Sequence, residues 1–157
     1  MVKPTRRAAM IGLTLALAGC DGEPPRAEDL RKIVGPGSPN SYLICGKGLC
    51  AAQADEDAPV FDLPPGKLLA ATIKVASRQP NTSAADADNA LAQLVFVQRT
   101  PYLRFPDVVR VQAIALPDGK SALALYSHSV YGYRDFGVNG RRARDWVAAI
   151  KAELNRS

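Results

Sequence analysis

The chain has 157 residues, of which 47% are hydrophobic and 22% charged, with 20 basic and 15 acidic residues, one His and three Cys. This length suits one main domain, and a single His argues against a catalytic metal built on imidazoles. Lys3, Arg6 and Arg7 precede residue 20, so the rest of the chain carries 17 basic residues against 15 acidic, a net of +2 that gives no electrostatic case for nucleic acid.

Residues 1–19 read as an address. Lys3, Arg6 and Arg7 form a positive n-region, Ala8 to Ala18 an apolar h-region, and Leu17-Ala18-Gly19-Cys20 a small-residue cleavage pattern. As a helix the apolar run would reach about 17 Å, short of the roughly 30 Å hydrocarbon core. The ending resembles a bacterial lipobox, which implies cleavage before Cys20 and acylation of its thiol. The membrane is then a partner through lipid on Cys20. Asp21 resembles a retention signal for the inner membrane, which places the chain on its periplasmic face, with the outer membrane as the alternative. Residues 20–40, rich in Pro, Gly and charge, read mostly as a lipidated tether, with Leu30, Ile33 and Val34 as one short apolar group.

Residues 41–157 make the domain. With Cys20 assigned to lipid, Cys45 and Cys50 remain, five positions apart around two glycines. A disulfide is the simplest reading in an oxidising compartment. A zinc site would need two further ligands, and a redox pair is more typically Cys-x-x-Cys. Asp62 to Gly66 opens a predicted helix with Leu68, Leu69, Ile73 and Val75 on its apolar face, ended by Gln79-Pro80-Asn81. A hairpin follows, with its turn predicted at 86–89 and Leu94 to Val97 as the strongest strand signal. Strands over 107–116 and 121–130 flank the turn Pro117 to Lys120. A last helix begins near Asn139 as its N-cap and carries Ala143, Trp146, Val147, Ile150 and Leu154 at helical spacing. The predicted fold is α+β: about four antiparallel strands packed against two helices, a two-layer sandwich.

The stretch Tyr126 to Arg142 concentrates the polar chemistry. Period-two alternation puts Ser127 and Ser129 on one face and His128 on the other, so no Ser-His nucleophile assembles there. Gly132 and Gly137 permit backbone that side chains disfavour. Asp135 stands near the helix start, within reach of Arg142, so that the pair with Asn139 either braces the strand-to-helix corner or joins helix amides and Arg141 in binding an anion.

The spacing Ser127-x-Ser129-x-x-Gly132-Tyr133-x-Asp135-Phe136-Gly137-Val138-Asn139-x-x-Arg142 resembles the signature of the family catalogued as domain of unknown function 1499 (DUF1499). Val97-Gln98-Arg99-Thr100, Arg104-Phe105-Pro106-Asp107 and Pro39-Asn40 with the two cysteines resemble its other elements, so the likeness runs over about residues 39–152. Many relatives carry Arg where this chain has Val130. The resemblance implies neither activity nor cofactor, and no metal site is read from the residues. The candidate ligand or interaction site is Arg99, Asp107, Ser127, Ser129, Tyr133, Asp135, Asn139 and Arg142. The reading leans away from an enzyme and toward a binding or envelope-interaction module that takes a small polar or anionic ligand or an envelope protein. A small hydrolase or isomerase using Asp135 or Asp107 as base with Arg99 or Arg142 is the rival, and a purely structural envelope protein the third reading.

Overall fold

Two long apolar strands form the spine of the sheet. Pro106–Ala115 (β5) and Ser121–Ser129 (β6) pair antiparallel in unbroken register from Asp107 opposite Ser129 to Ala115 opposite Ser121. The 3-10 turn Pro117–Gly119 joins them, and Asp118 takes the left-handed backbone (φ 61°) that a short polar side chain tolerates. The structure is a computed structural model that describes residues 22–35 and 39–156. The predicted leader and Cys20 lie outside the described residues. Among those described, no helix is long and apolar enough to cross a membrane.

Ser41–Ile44 (β1) and Val60–Phe61 (β2) both pair with β6, while Thr82–Asp88 (β3) and Gln93–Arg99 (β4) extend the sheet beyond β5, giving the order β1-β6-β5-β4-β3 with β2 beside β6. The sheet therefore has six strands where the sequence predicts about four. β1 and β2 are four and two residues long, too short for alternation to register. The β3–β4 turn also falls later than predicted. Asp86 and Asp88 belong to β3, which bulges between Ala84 and Asp86, and the turn closes where Asp88 Oδ1 accepts from Leu91 N at 2.9 Å. Half-buried carboxylates on an edge strand, one of them accepting from Ala27 N at 2.8 Å, imitate a loop in sequence.

Pro65–Ala76 (α1) and Val138–Leu154 (α2) cover one face. Leu68, Ala71 and Val75 of α1 and Ala143, Trp146, Val147 and Ile150 of α2 meet Phe96, Val109, Val111, Leu123 and Leu125 of the sheet. Trp146 packs on Phe96 with ring centroids 5.3 Å apart. The helices are also clamped by Glu153, which accepts from Arg78 at 2.5 Å and from Arg156 at 2.8 Å.

The opposite face is closed by the N-terminal segment, and here the tether reading needs correction. Leu30 is completely buried among Leu43, Ile114, Ala122 and Ala124. The backbone on either side of it is held by two glutamines of the sheet: Gln93 Oε1 accepts from Glu28 N (2.7 Å), Gln93 Nε2 donates to Glu28 O (2.6 Å), and Gln112 Oε1 accepts from Leu30 N (2.8 Å). One buried leucine plus two side-chain amides that satisfy an otherwise irregular strap leaves no periodic signal in the sequence. The Cys45–Cys50 disulfide borders this second core.

Candidate functional site

The motif Asp135-Phe136-Gly137-Val138-Asn139 turns β6 into α2. Gly137 has φ 78°, a left-handed conformation that a Cβ would penalise, and the helix begins immediately after it. Asn139 is therefore not the N-cap; it stands inside the first turn. Asp135 does the capping instead: its Oδ1 accepts from Gly137 N at 2.9 Å and its Oδ2 from Asn139 N at 2.8 Å. Burial pushes the Asp135 carboxyl up, but these bonds and a third from Asn139 Nδ2 outweigh it and hold it below its ordinary range.

Released from capping, the Asn139 side chain turns into the protein and is fully buried. Its Oδ1 accepts from Ser127 Oγ (2.6 Å) and Arg142 Nη1 (2.7 Å), and its Nδ2 donates to the Asn40 carbonyl (2.8 Å) and Ser129 Oγ (3.0 Å). Arg142 does not reach back to Asp135. One turn along α2 from Asn139, it sits over the start of β5 and donates Nη2 to Asp107 Oδ2 at 2.5 Å, with side chains only 10% and 5% exposed. Asp135 is already occupied by the helix amides, so the charge left for Arg142 is the one on the sheet. Asn40, absent from the sequence-derived set, completes the corner by donating Nδ2 to the Gly132 carbonyl at 2.5 Å, while its own carbonyl also accepts from Ser129 N. Its only sequence signal was its place beside Pro39 in the family-like lead-in.

This corner is closed on itself. Asp107, Ser127, Asn139 and Arg142 are all buried or nearly so, and each has a partner within the network. Such a group, with few donors or acceptors to spare, is built to fix geometry. Neither carboxylate is available as a base, since Asp107 is paired to a guanidinium and Asp135 to backbone amides. Tyr133 stands apart from the network, 73% exposed.

His128 lies on the other face. Arg110 Nη1 is 2.9 Å from its Nε2, and because a guanidinium only donates, Nε2 accepts and the ring proton sits on Nδ1. Burial, and then the Arg110 charge, lower the His128 pKa. Its ring lies 5.1 Å from that of Tyr126.

Next to the closed corner is an open cleft of about 440 Å³, bounded by residues 79–81 after α1, residues 98–101 at the end of β4, and Val138, Arg141, Arg142, Asp145 and Trp146 of α2. Two buried side-chain polar atoms among the described residues lack a hydrogen-bond partner, Gln98 Oε1 and Trp146 Nε1, and both residues line this cleft. Both atoms are themselves shielded from solvent, so a polar guest would pair with them only where the cleft wall parts to admit it. Arg99 and Arg142 of the sequence-derived set meet at its walls, while Asp107, Ser127 and Asn139 lie behind it. Gln98 stood in the family-like Val97 to Thr100 element without a role, and Trp146 read as core. No local pattern brings the two together, because the contact depends on how α2 crosses β4.

A family model described as Protein of unknown function (DUF1499) matches residues 17–150. No curated protein matches. Among solved structures, that of Ara h 8.0201 is 9% identical, with a TM-score of 0.47 over 74% of this chain and 98% of the other. That of CalU16 from Micromonospora echinospora is 15% identical, with a TM-score of 0.41 over 63% and 76%.

Proposed function

The chain belongs to the DUF1499 family, whose description assigns no activity, and from its geometry we propose a binding module: acylated on Cys20, held at the periplasmic face of the inner membrane, and taking a small polar or anionic ligand in the cleft beside α2. The observation that carries the ligand reading is an open cleft lined by Gln98 and Trp146, whose Oε1 and Nε1 are buried without partners and would meet a ligand once the wall parts. A suitable ligand presents an acceptor to the indole N–H and a donor to the Gln98 carbonyl. Arg141 at the wall favours an anionic group on it.

The anchoring reading is supported by the order of n-region, h-region and Leu17-Ala18-Gly19-Cys20. The Cys45–Cys50 disulfide suits an extracytoplasmic address. Catalysis is the weaker reading because Asp107 and Asp135, the two bases it requires, are committed to structural partners.

Native mass spectrometry of the exported chain carrying Cys20→Ser tests the ligand reading. A small molecule should co-purify with the parent and be missing from Gln98→Leu, with both equally stable. Bare protein in both samples would overturn it.

A further inference from the structure

One end of the sheet carries an unusual surface. The loop between β4 and β5 exposes Tyr102 (94%), Leu103 (72%) and Phe105, and the loop between β6 and α2 exposes Tyr131, Tyr133 and Phe136 (88%). The two loops are one surface, since the Phe105 and Tyr131 rings lie 6.2 Å apart and Val130 N donates to the Pro106 carbonyl. Arg104 and Arg134, both exposed, add positive charge. Of the nearby carboxylates, Asp107 is buried against Arg142 and Glu23 is paired with Arg26 at 3.7 Å, while Asp135 stays ionised and offsets part of the charge. Contiguous apolar surface of this kind marks a partner or a membrane.

We propose that this end of the domain rests on the bilayer surface, with Tyr102, Tyr133 and Phe136 at the headgroup level and Arg104 and Arg134 against anionic phosphates. The inference rests on the anchoring through Cys20 proposed above. Gly22 lies in a groove with Pro106, Val130 and Tyr131, at this same end of the sheet. Gly22 is two positions from Cys20, a reach of at most about 7 Å. An acyl chain on Cys20 therefore draws this end, and not the opposite one, toward the membrane. The composition suits a lipid surface, because tyrosine rings are apolar bodies with a polar tip and arginine stems lie along apolar surface while their heads stay at phosphate depth. Phe136 holds a left-handed backbone (φ 53°) within the turn that caps α2, and its side chain is exposed.

The test uses the exported chain with Cys20→Ser, which cannot be acylated there, sedimented with vesicles of equal phosphatidylglycerol and phosphatidylcholine or of phosphatidylcholine alone. The chain should bind the anionic vesicles. Tyr102→Ser with Phe136→Ser should weaken binding at least tenfold, and Arg104→Gln with Arg134→Gln should abolish the preference for anionic lipid. These side chains are exposed, so folding should persist, and a thermal melt confirms it. No sedimentation with either vesicle, or binding unchanged in both double variants, overturns the inference. The mass of the N-terminal peptide of the parent decides the anchoring separately: an unmodified Cys20 defeats the anchoring, whereas an acylated Cys20 with no vesicle binding defeats only the surface contact.

Discussion

The corner and the cleft share a wall, and Arg142 belongs to both, yet they are opposite in kind. In the corner, Asn139 has partners on both its oxygen and its nitrogen and Asp107 is neutralised by Arg142. In the cleft, Gln98 Oε1 and Trp146 Nε1 are buried without partners. The difference teaches that the densest polar motif of a sequence can be a closed frame, while the proposed site lies among residues whose pattern is unremarkable.

The comparison breaks most sharply at Arg142. Arg142→Met leaves Asp107 charged and unpaired in the interior and should destabilise the fold by about 3–5 kcal/mol, read by chemical denaturation. Adding Asp107→Leu should recover most of that loss, since two apolar groups replace a desolvated pair. A single-variant cost below about 1 kcal/mol would mean that the corner is not a brace. Asp135→Ala removes the acceptor for the first amides of α2 and should cost about 1 kcal/mol, and because Asp135 and Arg142 both bond Asn139, adding Arg142→Met should give a cost that differs from the sum of the two separate ones.

His128 sharpens the contrast from the other face. Its folded pKa lies below its ordinary 6.5, so between the two values the unfolded chain binds more protons. Stability is then full above about pH 6.5 and falls as the pH drops toward the folded value. His128→Gln should flatten that slope in urea titrations at successive pH values. The smallest effect on stability belongs to the cleft: Gln98→Leu removes an unpartnered acceptor and also the exposed 3.3 Å bond from Gln98 Nε2 to the Pro80 carbonyl, two opposed effects, and should change unfolding free energy by no more than about 0.5 kcal/mol. A large loss would place Gln98 in the frame rather than in the site.

Much of the fold was legible. Val108 to Ile114, and Leu123 with Leu125, announce β5 and β6, and Trp146, Val147 and Ile150 announce the buried face of α2, because long elements repeat their period several times. What failed was short or non-periodic. β2 is two residues long, and the strap around Leu30 is held by Gln93 and Gln112 from strands more than 60 residues away. At the site, the motif located the corner, but the Asp135–Arg142 pair predicted from proximity along the chain lost to the Asp107–Arg142 pair formed across it. Asp135 is engaged by Gly137 N, Asn139 N and Asn139 Nδ2, whereas Asp107 at the start of β5 lies beneath Arg142 and takes its guanidinium. The cleft itself was illegible, because Gln98 and Trp146 meet only through the packing of a helix on a sheet.

The central claim, that the cleft and not the motif is the binding site, is tested most directly at the indole N–H of Trp146, the only tryptophan in the chain. Its single ¹⁵N–¹H resonance can be compared in the exported Cys20→Ser chain as isolated and after unfolding and refolding to strip any guest. The account predicts that the resonance moves between the two samples and that the movement is absent in Gln98→Leu. Identical resonances in the two samples, with the protein folded in both, would contradict it.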